Sequence, residues 1–366
     1  MNILFVEADT AEELSTSVWL ARIPAAAISR TGRHQARVIH RDQFLQEPVD
    51  KWPDVVVFER LLMAPFVEKI KEYQAVNTKV IARFDDAFHL MPSYIGGSYA
   101  LWRQSIVGVK EKEGKLIAAK MDVSALHQFR EGLGVCDAAS TPSRLLCQDY
   151  ERFCKQIFYI PNYADLGNPA WTAPKPKHDG IIIGWGGGGT HKQSIADSSI
   201  LPALQIICRR YPEVRLMICG NEKWVKDRLA NDIPQEQLIF KDWVPNEEWP
   251  SVVANFDIGL APLAGSYDDR RSWVKVLDYA ACGGIPWVAS NRPPYQSCQG
   301  GIRITNKRKN WVRAISTLLD KPSTYQRLSE IGYNWARTHC GIQNHINVYL
   351  NCFEKVLKEM NDGKKA

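Results

Sequence analysis

The chain has 366 residues, 45% of them hydrophobic and 23% charged, a composition typical of a globular protein long enough for two domains. Its net charge of +6 is uneven, because residues 1–165 hold 20 basic and 21 acidic side chains whereas residues 166–366 hold 26 and 19. This asymmetry argues against a uniform coat for nucleic acid and favours a phosphate-bearing ligand in the second half. No apolar run is long enough to span a bilayer, so we expect no transmembrane segment.

The chain begins with MNILFVEADT, which leads into a strand rather than a signal peptide, and we expect a cytoplasmic protein. The nine cysteines are scattered without the spacing of a metal site, which favours reduced thiols packed as small hydrophobic residues. We therefore predict neither a metal site nor a disulfide framework.

Short apolar runs alternate with amphipathic segments through the first half. The predicted strands cover residues 3–7, 36–40, 54–60, 79–84, 135–140 and 157–162. The predicted helices cover residues 18–29, 64–75, 122–132 and 141–150, the last with Thr141 as N-cap and Pro142 in its first turn. Because strands that alternate with helices form parallel sheets covered on both faces, we assign residues 1–165 to an N-terminal Rossmann-like domain.

A linker at residues 166–179, with three prolines and no periodicity, separates this domain from a second one of the same kind at residues 180–342. Its predicted strands cover residues 180–185, 214–220, 237–243, 256–263 and 285–290, and its predicted helices cover residues 199–211, 247–255 and 272–282. A last helix, in residues 343–366, is expected to cross back from the second domain to the first. The predicted fold class is α/β, with two tandem Rossmann-like doubly wound domains and ligands in the cleft between them.

The sharpest local feature is GWGGGGTHKQS at 184–194, which follows a predicted strand and precedes a helix. Its four consecutive glycines, Gly186, Gly187, Gly188 and Gly189, allow backbone N–H groups to approach a phosphate closely. Lys192 adds a positive charge there, and His191 adds a hydrogen-bond donor. The same letters satisfy G-x-G-x-x-G, so an NAD(P)-dependent oxidoreductase is an alternative. Against it, no acidic residue ends the next predicted strand, where one would bind the cofactor ribose.

A second feature is the segment at 256–290, FDIGLAPLAGSYDDRRSWVKVLDYAACGGIPWVAS, in which a strand ends in a charged loop and a helix begins near Ser272. Helix N-termini favour anions, and Arg270, Arg271 and Lys275 cluster at this one. Lys275 and Asp278 stand three positions apart and therefore share a helix face. The pattern predicts a second element of an anion site.

The run KVLDYAACGGIPWVAS at 275–290 resembles the motif KxLEYxAxGxPxVAS in the donor-binding region of the GT-B glycosyltransferases called group 1. GWGGGGTHK resembles the glycine-rich diphosphate loop of that family, and IPNYAD at 160–165 resembles the end of its first domain. The resemblance implies a GT-B fold, in which an N-terminal acceptor domain is followed by a donor domain. It also implies transfer of a sugar from a nucleoside-diphosphate sugar to an acceptor hydroxyl, with retention and with no required metal or cofactor.

Carried over to this sequence, the resemblance implies that Asp278 accepts hydrogen bonds from the nucleotide ribose and that Lys275 and Lys192 face the diphosphate. The family carries a first acid eight positions before the second, where this chain has Arg270. Asp268 or Asp269 would substitute for it if the loop were shifted.

On the acceptor side, ARFDDAFHLMP at 82–92 follows a buried strand, and Asp85, Asp86 and His89 are the polar groups nearest its end. We expect them to orient the acceptor hydroxyl or, in an inverting enzyme, to supply a general base. Weaker candidates of similar placement are Arg22, Glu59 and Arg60, and Tyr99 and Trp102 are candidates for stacking or for the core.

Three further alternatives stay open. The first two are a nucleotide-dependent sugar epimerase and a non-catalytic nucleotide-sugar-binding protein. The third concerns the acceptor, for which a saccharide or glycolipid is preferred and a hydroxymethylated DNA base is the alternative. A basic stretch at Arg303, Lys307, Arg308, Lys309 and Arg313 bears on the DNA alternative, although such a stretch is usually a solvated face.

Overall fold

The computed structural model describes residues 1–9, 16–110, 116–172, 175–220 and 223–362. By its internal contacts the chain divides into two compact units. Unit 1 contains Met1–Asn162, Arg270–Ser272 and the chain from His345 onward, and unit 2 contains Tyr163–Asp269 and Trp273–Asn344.

Unit 1 is built on a six-stranded parallel sheet with the order β2-β1-β3-β4-β7-β8. These strands, together with the antiparallel hairpin β5–β6, are β1 (Asn2–Glu7), β2 (Gln35–His40), β3 (Val55–Glu59), β4 (Lys79–Arg83), β5 (Ile106–Lys110), β6 (Leu116–Lys120), β7 (Ala138–Thr141) and β8 (Ile157–Tyr159). The β3 strand is buried at every position because helices cover both faces of the sheet. β1 is flanked by β2 on one side and by β3 on the other, so the strand order reverses at β1.

The helices of unit 1 before the last are α1 (Ile23–Arg30), α2 (Arg41–Gln46), α3 (Phe66–Ala75), α4 (Gly96–Tyr99), α5 (Ala125–Val135) and α6 (Arg144–Tyr150). A π-helical turn, Val18–Arg22, precedes α1, so the segment predicted at 18–29 is helical with a wider first turn. The predicted N-cap of α6 is wrong. Thr141 is the last residue of β7, and the cap is Ser143, whose Oγ accepts a hydrogen bond from the Leu146 N–H at 3.5 Å.

An aromatic core lies under the carboxyl end of β4. Phe84 packs edge-on against Phe129 with ring centroids 5.3 Å apart, and Phe88 stacks on Trp102 at 4.0 Å. Trp102 is 6% exposed and therefore belongs to this core rather than to a stacking surface for a sugar.

The last helix, α15 (Ile342–Asp362), contributes its residues from His345 onward to unit 1. Phe353 packs edge-on against Phe5 of β1. Tyr349 lies under the guanidinium of the buried Arg83, and its hydroxyl accepts a hydrogen bond from Arg83 Nη2 at 3.2 Å. These contacts make the end of the chain part of the core of unit 1.

Unit 2 is built on a second six-stranded parallel sheet, with the order β11-β10-β9-β12-β13-β14. Its strands are β9 (Ile181–Gly186), β10 (Val214–Cys219), β11 (Leu238–Lys241), β12 (Ile258–Ala261), β13 (Trp287–Ser290) and β14 (Gly301–Ile304). Its helices are α7 (Lys192–Asp197), α8 (Leu201–Arg210), α9 (Lys223–Asp232), α10 (Trp249–Val253), α11 (Gly265–Asp268), α12 (Val274–Ala281), α13 (Arg308–Asp320) and α14 (Pro322–Trp335). β9 lies between β10 and β12, so the strand order reverses here as it does at β1 of unit 1.

The prediction of two doubly wound α/β domains is confirmed by these two sheets. The elements β14, α13 and α14 were not predicted, and neither was the hairpin β5–β6. In the described part of the chain, no helix is long and apolar enough to cross a bilayer.

Candidate functional site

The glycine-rich loop leaves β9 at the point where the strand order of unit 2 reverses. Connections diverge to opposite sides at such a point, which opens a crevice at the carboxyl ends of the strands. The loop continues through a short 3₁₀ turn, Gly189–His191, directly into α7. Sheet topology therefore places the loop where doubly wound domains bind their ligands.

The glycines of this loop serve two different purposes. A Cβ on Gly186 would lie 2.2 Å from the Trp249 ring, and one on Gly187 would lie 2.6 Å from the Trp185 ring, so packing excludes side chains there. A Cβ on Gly220, whose φ is +105, would likewise lie 2.3 Å from the Gly187 carbonyl oxygen. A Cβ on Gly188, in contrast, would meet nothing within 4 Å. Packing therefore explains why residues 186 and 187 are glycines. Gly188 instead leaves room for a ligand to approach the backbone closely.

Lys275 projects from the first turn of α12 to this loop. Its ammonium donates a hydrogen bond to the Gly186 carbonyl and lies 5.3 Å from the centre of the Trp185 ring. These contacts fix the positively charged ammonium of Lys275 at the start of the glycine loop. A diphosphate bound by the loop N–H groups would meet that charge directly.

Asp278 lies one turn further along α12 and is 4% exposed. Its Oδ2 accepts a hydrogen bond from the Trp249 indole N–H at 2.9 Å, whereas its Oδ1 is buried without a partner. Burial raises the pKa of this carboxyl to about 7, against the opposing effects of the Trp249 hydrogen bond and the nearby Lys275 charge. A buried acceptor without a donor costs free energy, so Oδ1 is a place for a ligand hydroxyl.

Two other predicted residues stand at the start of α7. His191 packs edge-on against Trp185, with ring centroids 6.3 Å apart, and the Lys192 ammonium lies 5.6 Å from the centre of the Trp224 ring. The Trp185 indole nitrogen is itself buried without a hydrogen-bond partner. Two lysines, Lys192 and Lys275, therefore lie beside the loop together with the Trp185 indole N–H, which can still donate a hydrogen bond.

The acceptor-side candidates lie at the carboxyl end of β4 in unit 1. Asp85 is half-buried with Oδ1 unpartnered, and burial together with the charge of Asp86 raises its pKa well above the usual range. His89 lies 3.0 Å from the Tyr150 hydroxyl through Nδ1 and 3.4 Å from Asp149 through Nε2. Burial lowers the pKa of His89, which favours a neutral imidazole.

Two of the weaker candidates, Glu59 and Arg60, belong to a network at the reversal point of the unit 1 sheet. Arg60, which follows β3 with φ +57, forms ion pairs with Asp9 and with Glu59. Glu59 is 1% exposed and accepts hydrogen bonds from the Ser17 hydroxyl at 2.6 Å and from the Ala8 N–H at 3.0 Å. Burial raises the pKa of Glu59 to about 7.

Arg22 stands apart from that network. It forms a two-point ion pair with Glu7 at 2.8 and 2.9 Å. In the residues that the structure describes, no group of three or more histidine, cysteine or acidic side chains is arranged to hold a metal ion.

No family model matches the chain, and no curated protein matches it in sequence. Solved structures match it over nearly its whole length. A complex of Anabaena HepE with UDP-glucose gives a TM-score of 0.64 at 10% identity, covering 96% of this chain and 100% of that one. A glycosyltransferase from Rickettsia africae gives 0.64 at 13% identity with 98% of each chain covered. Sucrose-phosphate synthase from Thermosynechococcus elongatus gives 0.62 at 12%, covering 100% and 98%. The chain has the GT-B glycosyltransferase fold.

At the position where the GT-B motif carries its first acid, this chain has Arg270. Arg270 belongs by its contacts to unit 1, where it forms a two-point ion pair with Asp149 at 2.7 and 3.1 Å. The Ser272 hydroxyl accepts a hydrogen bond from Asn162 Nδ2 at 3.2 Å. Arg271 lies between them and is half-buried.

The two aspartates that could replace the first acid are both engaged within unit 2. Asp268 is 1% exposed and accepts hydrogen bonds at 2.7 Å from the Ser194 hydroxyl and from the Ala264 N–H. Asp269 forms an ion pair with Arg292 at 2.8 Å. Asp268 thereby ties the start of α7 to the segment that precedes α11, so it supports the glycine loop from behind.

Sequence reasoning did not identify two tryptophans that lie beside the glycine loop. Trp249 contacts both Gly186 and Asp278, and Trp185 packs beside both Gly187 and the Lys275 ammonium. The available signal was a tryptophan directly before the glycine run. A large ring beside consecutive glycines indicates close packing against their backbone.

Proposed function

We propose that this protein is a glycosyltransferase that uses a nucleoside-diphosphate sugar bound by unit 2. One observation carries the proposal. On α12, the Lys275 ammonium reaches the base of the glycine loop, while Asp278, one turn away, keeps a buried oxygen unpartnered. A diphosphate on the loop and a ribose hydroxyl on Asp278 would satisfy both features with a single ligand.

The preferred donor is a UDP-sugar. The Anabaena protein of the same fold was solved with UDP-glucose, which makes uridine the first base to test. Glycine at 188 leaves room beside the backbone for a phosphate, and Lys192 lies at the start of the helix that follows the loop.

In the proposed reaction an acceptor hydroxyl forms a bond to the anomeric carbon of the sugar while the bond from that carbon to the diphosphate oxygen breaks. The electron pair of the broken bond stays on the nucleoside diphosphate, and an oxygen of that departing diphosphate takes up the hydroxyl proton. Lys275, Lys192 and the loop N–H groups stabilise the negative charge that grows on the leaving group. The resemblance to group 1 supports retention of the anomeric configuration.

For the acceptor we propose a saccharide or glycolipid hydroxyl. Asp85, Asp86 and His89 are the candidates to orient it, because they combine an unpartnered carboxyl oxygen of Asp85 with the neutral imidazole of His89 at one strand end. The Asp85→Asn and His89→Gln variants should lower transfer to the acceptor and leave donor affinity unchanged.

The test is incubation with a panel of nucleotide-sugars and acceptors, including a hydroxymethylated DNA duplex, with mass spectrometry of the products. Release of UDP together with a glycosylated acceptor supports the proposal. Conversion of the donor to an isomer of the same mass would identify an epimerase instead. Tight donor binding without any product would identify a binding protein, and reduction of NAD(P) would identify an oxidoreductase.

A pair of glycine variants tests the donor loop directly. Gly188→Ala should weaken UDP-sugar binding by about tenfold or more and change the unfolding free energy by less than about 1 kcal/mol, because its Cβ meets no protein atom. Gly186→Ala should instead destabilise the protein by roughly 1–3 kcal/mol, because its Cβ overlaps the Trp249 ring. Calorimetric titration and urea unfolding measure the two effects. Unchanged donor affinity in folded Gly188→Ala would place the phosphates elsewhere.

A further inference from the structure

Two adjoining cavities lie on the surface of unit 2, on the exposed side of α13. The first has a volume of about 540 Å³ and lies between α13 and the end of α8, and the second has about 430 Å³ and lies between α13 and β14. Arg313 and Thr317 line both cavities, so the two form one groove, here called the α13 groove. Each volume is in the range of small-molecule sites.

The α13 groove is strongly cationic. Six basic side chains and a single carboxylate line it: Arg210, Arg303, Arg308, Lys309, Arg313, Lys321 and Asp320. The carboxylate of Asp320 is already engaged, since both of its oxygens lie 2.9 Å from the Tyr211 hydroxyl. Among the described residues, no ion pair involves Arg308, Lys309 or Arg313.

This arrangement lowers the stability of α13. Lys309 and Arg313 stand four positions apart on one face, where like charges repel. Arg308 and Lys309 also occupy the first turn, at the positive end of the helix dipole. The opposite face of α13 is anchored by the buried Trp311 and Ile315, so the helix holds its cations in place in spite of their repulsion. An anion in the groove would relieve both unfavourable effects.

The floor of the groove is apolar. Ile206 of α8 and Val312 of α13 are half-buried there, and the Ser316 hydroxyl lies 3.5 Å from Arg210 Nη1. A cationic rim over an apolar floor fits a ligand that has phosphate groups and a less polar body.

We infer that the α13 groove binds a soluble phosphorylated small molecule of about nucleotide size. Its phosphates lie against Arg308, Lys309 and Arg313, and its body lies on Ile206 and Val312. The site belongs wholly to unit 2 and uses none of the residues assigned to the donor.

Two other anionic partners fit the groove less well. Single-stranded nucleic acid is bound mainly by aromatic stacking, and no aromatic side chain lines either cavity in the described part of the chain. Insertion into an anionic membrane needs exposed apolar side chains beside the cations. Among the residues that the structure describes, the exposed large apolar side chains are Ile117, Val123, Trp243 and Tyr333, and all four lie outside the groove.

Lysine footprinting locates the ligand independently of the donor site. The whole protein is acetylated with and without inorganic tripolyphosphate, and the rate at each lysine is read by mass spectrometry. We expect the rates at Lys309 and Lys321 to fall at least fivefold, and the rate at the exposed Lys177 to stay unchanged. An unchanged rate at Lys309 with saturating tripolyphosphate would overturn the inference. So would protection that appears only with phosphatidic-acid vesicles or with DNA.

A charge-matched pair of variants checks the affinity by calorimetric titration with tripolyphosphate. Lys309→Gln/Arg313→Gln should lose the binding event assigned to the groove, with an affinity at least tenfold lower. Arg209→Gln/Arg215→Gln removes the same charge from exposed positions outside the groove and should change that affinity less than twofold. Equal losses in the two variants would indicate general charge attraction and contradict the assigned site. Because neither variant touches Lys275 or Asp278, the result stands whether or not the proposed glycosyl transfer is found.

Discussion

At pH 8 the Asp278→Asn variant should be more stable than the wild-type protein, while its affinity for a nucleotide-sugar should be lower. The folded-state pKa of Asp278 is raised from 3.8 to about 7 by burial. The folded state therefore holds a proton that the unfolded chain releases, and the stability of the wild type falls as pH rises from about 4 to 7. An asparagine keeps an oxygen for the Trp249 N–H and carries no charge to bury.

The size of this effect follows from the shift. The stability gain of Asp278→Asn should increase by about 2–3 kcal/mol between pH 5 and pH 8, since each pKa unit corresponds to about 1.4 kcal/mol. Urea unfolding at the two pH values measures it. The control is Asp268→Asn, which removes a buried carboxylate whose hydrogen bonds are satisfied and should destabilise the protein at both pH values. A loss of stability at pH 8 in Asp278→Asn would show that the carboxylate has a partner and a structural role.

The loss of nucleotide-sugar affinity expected in Asp278→Asn tests whether Asp278 binds the ribose. The charged oxygen of Asp278 would accept from a ribose hydroxyl, and losing such a bond costs roughly 1.5–3 kcal/mol, or about 10- to 150-fold in affinity. Donor affinity of the wild type should also rise as the pH increases through 7, because the ionised carboxylate is the better acceptor. Equal donor affinity in wild type and variant, measured by calorimetry, would remove Asp278 from the donor site.

Lys275→Met should reduce turnover by about 10²–10³-fold at saturating donor. The ammonium lies at the base of the glycine loop, where, in the proposed reaction, charge would grow on the diphosphate as its bond to the sugar breaks. The variant should also lose the preference for UDP over UMP, since in the proposed binding mode the second phosphate contacts the lysine. Thermal unfolding should change little, because methionine keeps the packing of the side-chain stem on Trp185.

The matched control is Lys226→Met, because Lys226 likewise lies beside an aromatic ring of unit 2, 5.9 Å from the centre of Phe240. Its loss should leave turnover within about twofold. If Lys275→Met kept normal turnover and still preferred UDP to UMP, the phosphate site would have to lie away from α12.

The sequence predicted the sheets because buried parallel strands are short apolar runs, and eleven of the twelve strands in the two large sheets were placed in this way. It missed β14, whose sequence GIRI carries an exposed arginine, and the hairpin β5–β6, whose register depends on pairing between strands. It also missed α13, whose exposed face is dominated by basic residues.

The candidate site was only partly predictable. Glycines 186–189 and Lys275 stand out by residue type and spacing, and the structure brings Lys275 to Gly186. The place of Arg270 could not be found from sequence, because its partner Asp149 is 121 residues away. The hydrogen bond between Trp249 and Asp278 could not be predicted either, because the two residues lie on different helices and no sequence pattern indicates that these helices touch.

Unit 1 includes most of α15, and this matters for any attempt to produce the N-terminal domain by itself. A polypeptide ending at Asn162 would lack α15, so Arg83, 1% exposed, would lose the Tyr349 ring and hydroxyl, and Phe5 would lose its contact with Phe353. Arg83 would keep its long hydrogen bond to the Ser140 hydroxyl, at 3.4 Å, but the loss of the other contacts of a buried guanidinium is destabilising. The N-terminal sheet therefore depends on α15, which follows unit 2 in the sequence, and its final packing has to wait until that helix has been synthesised.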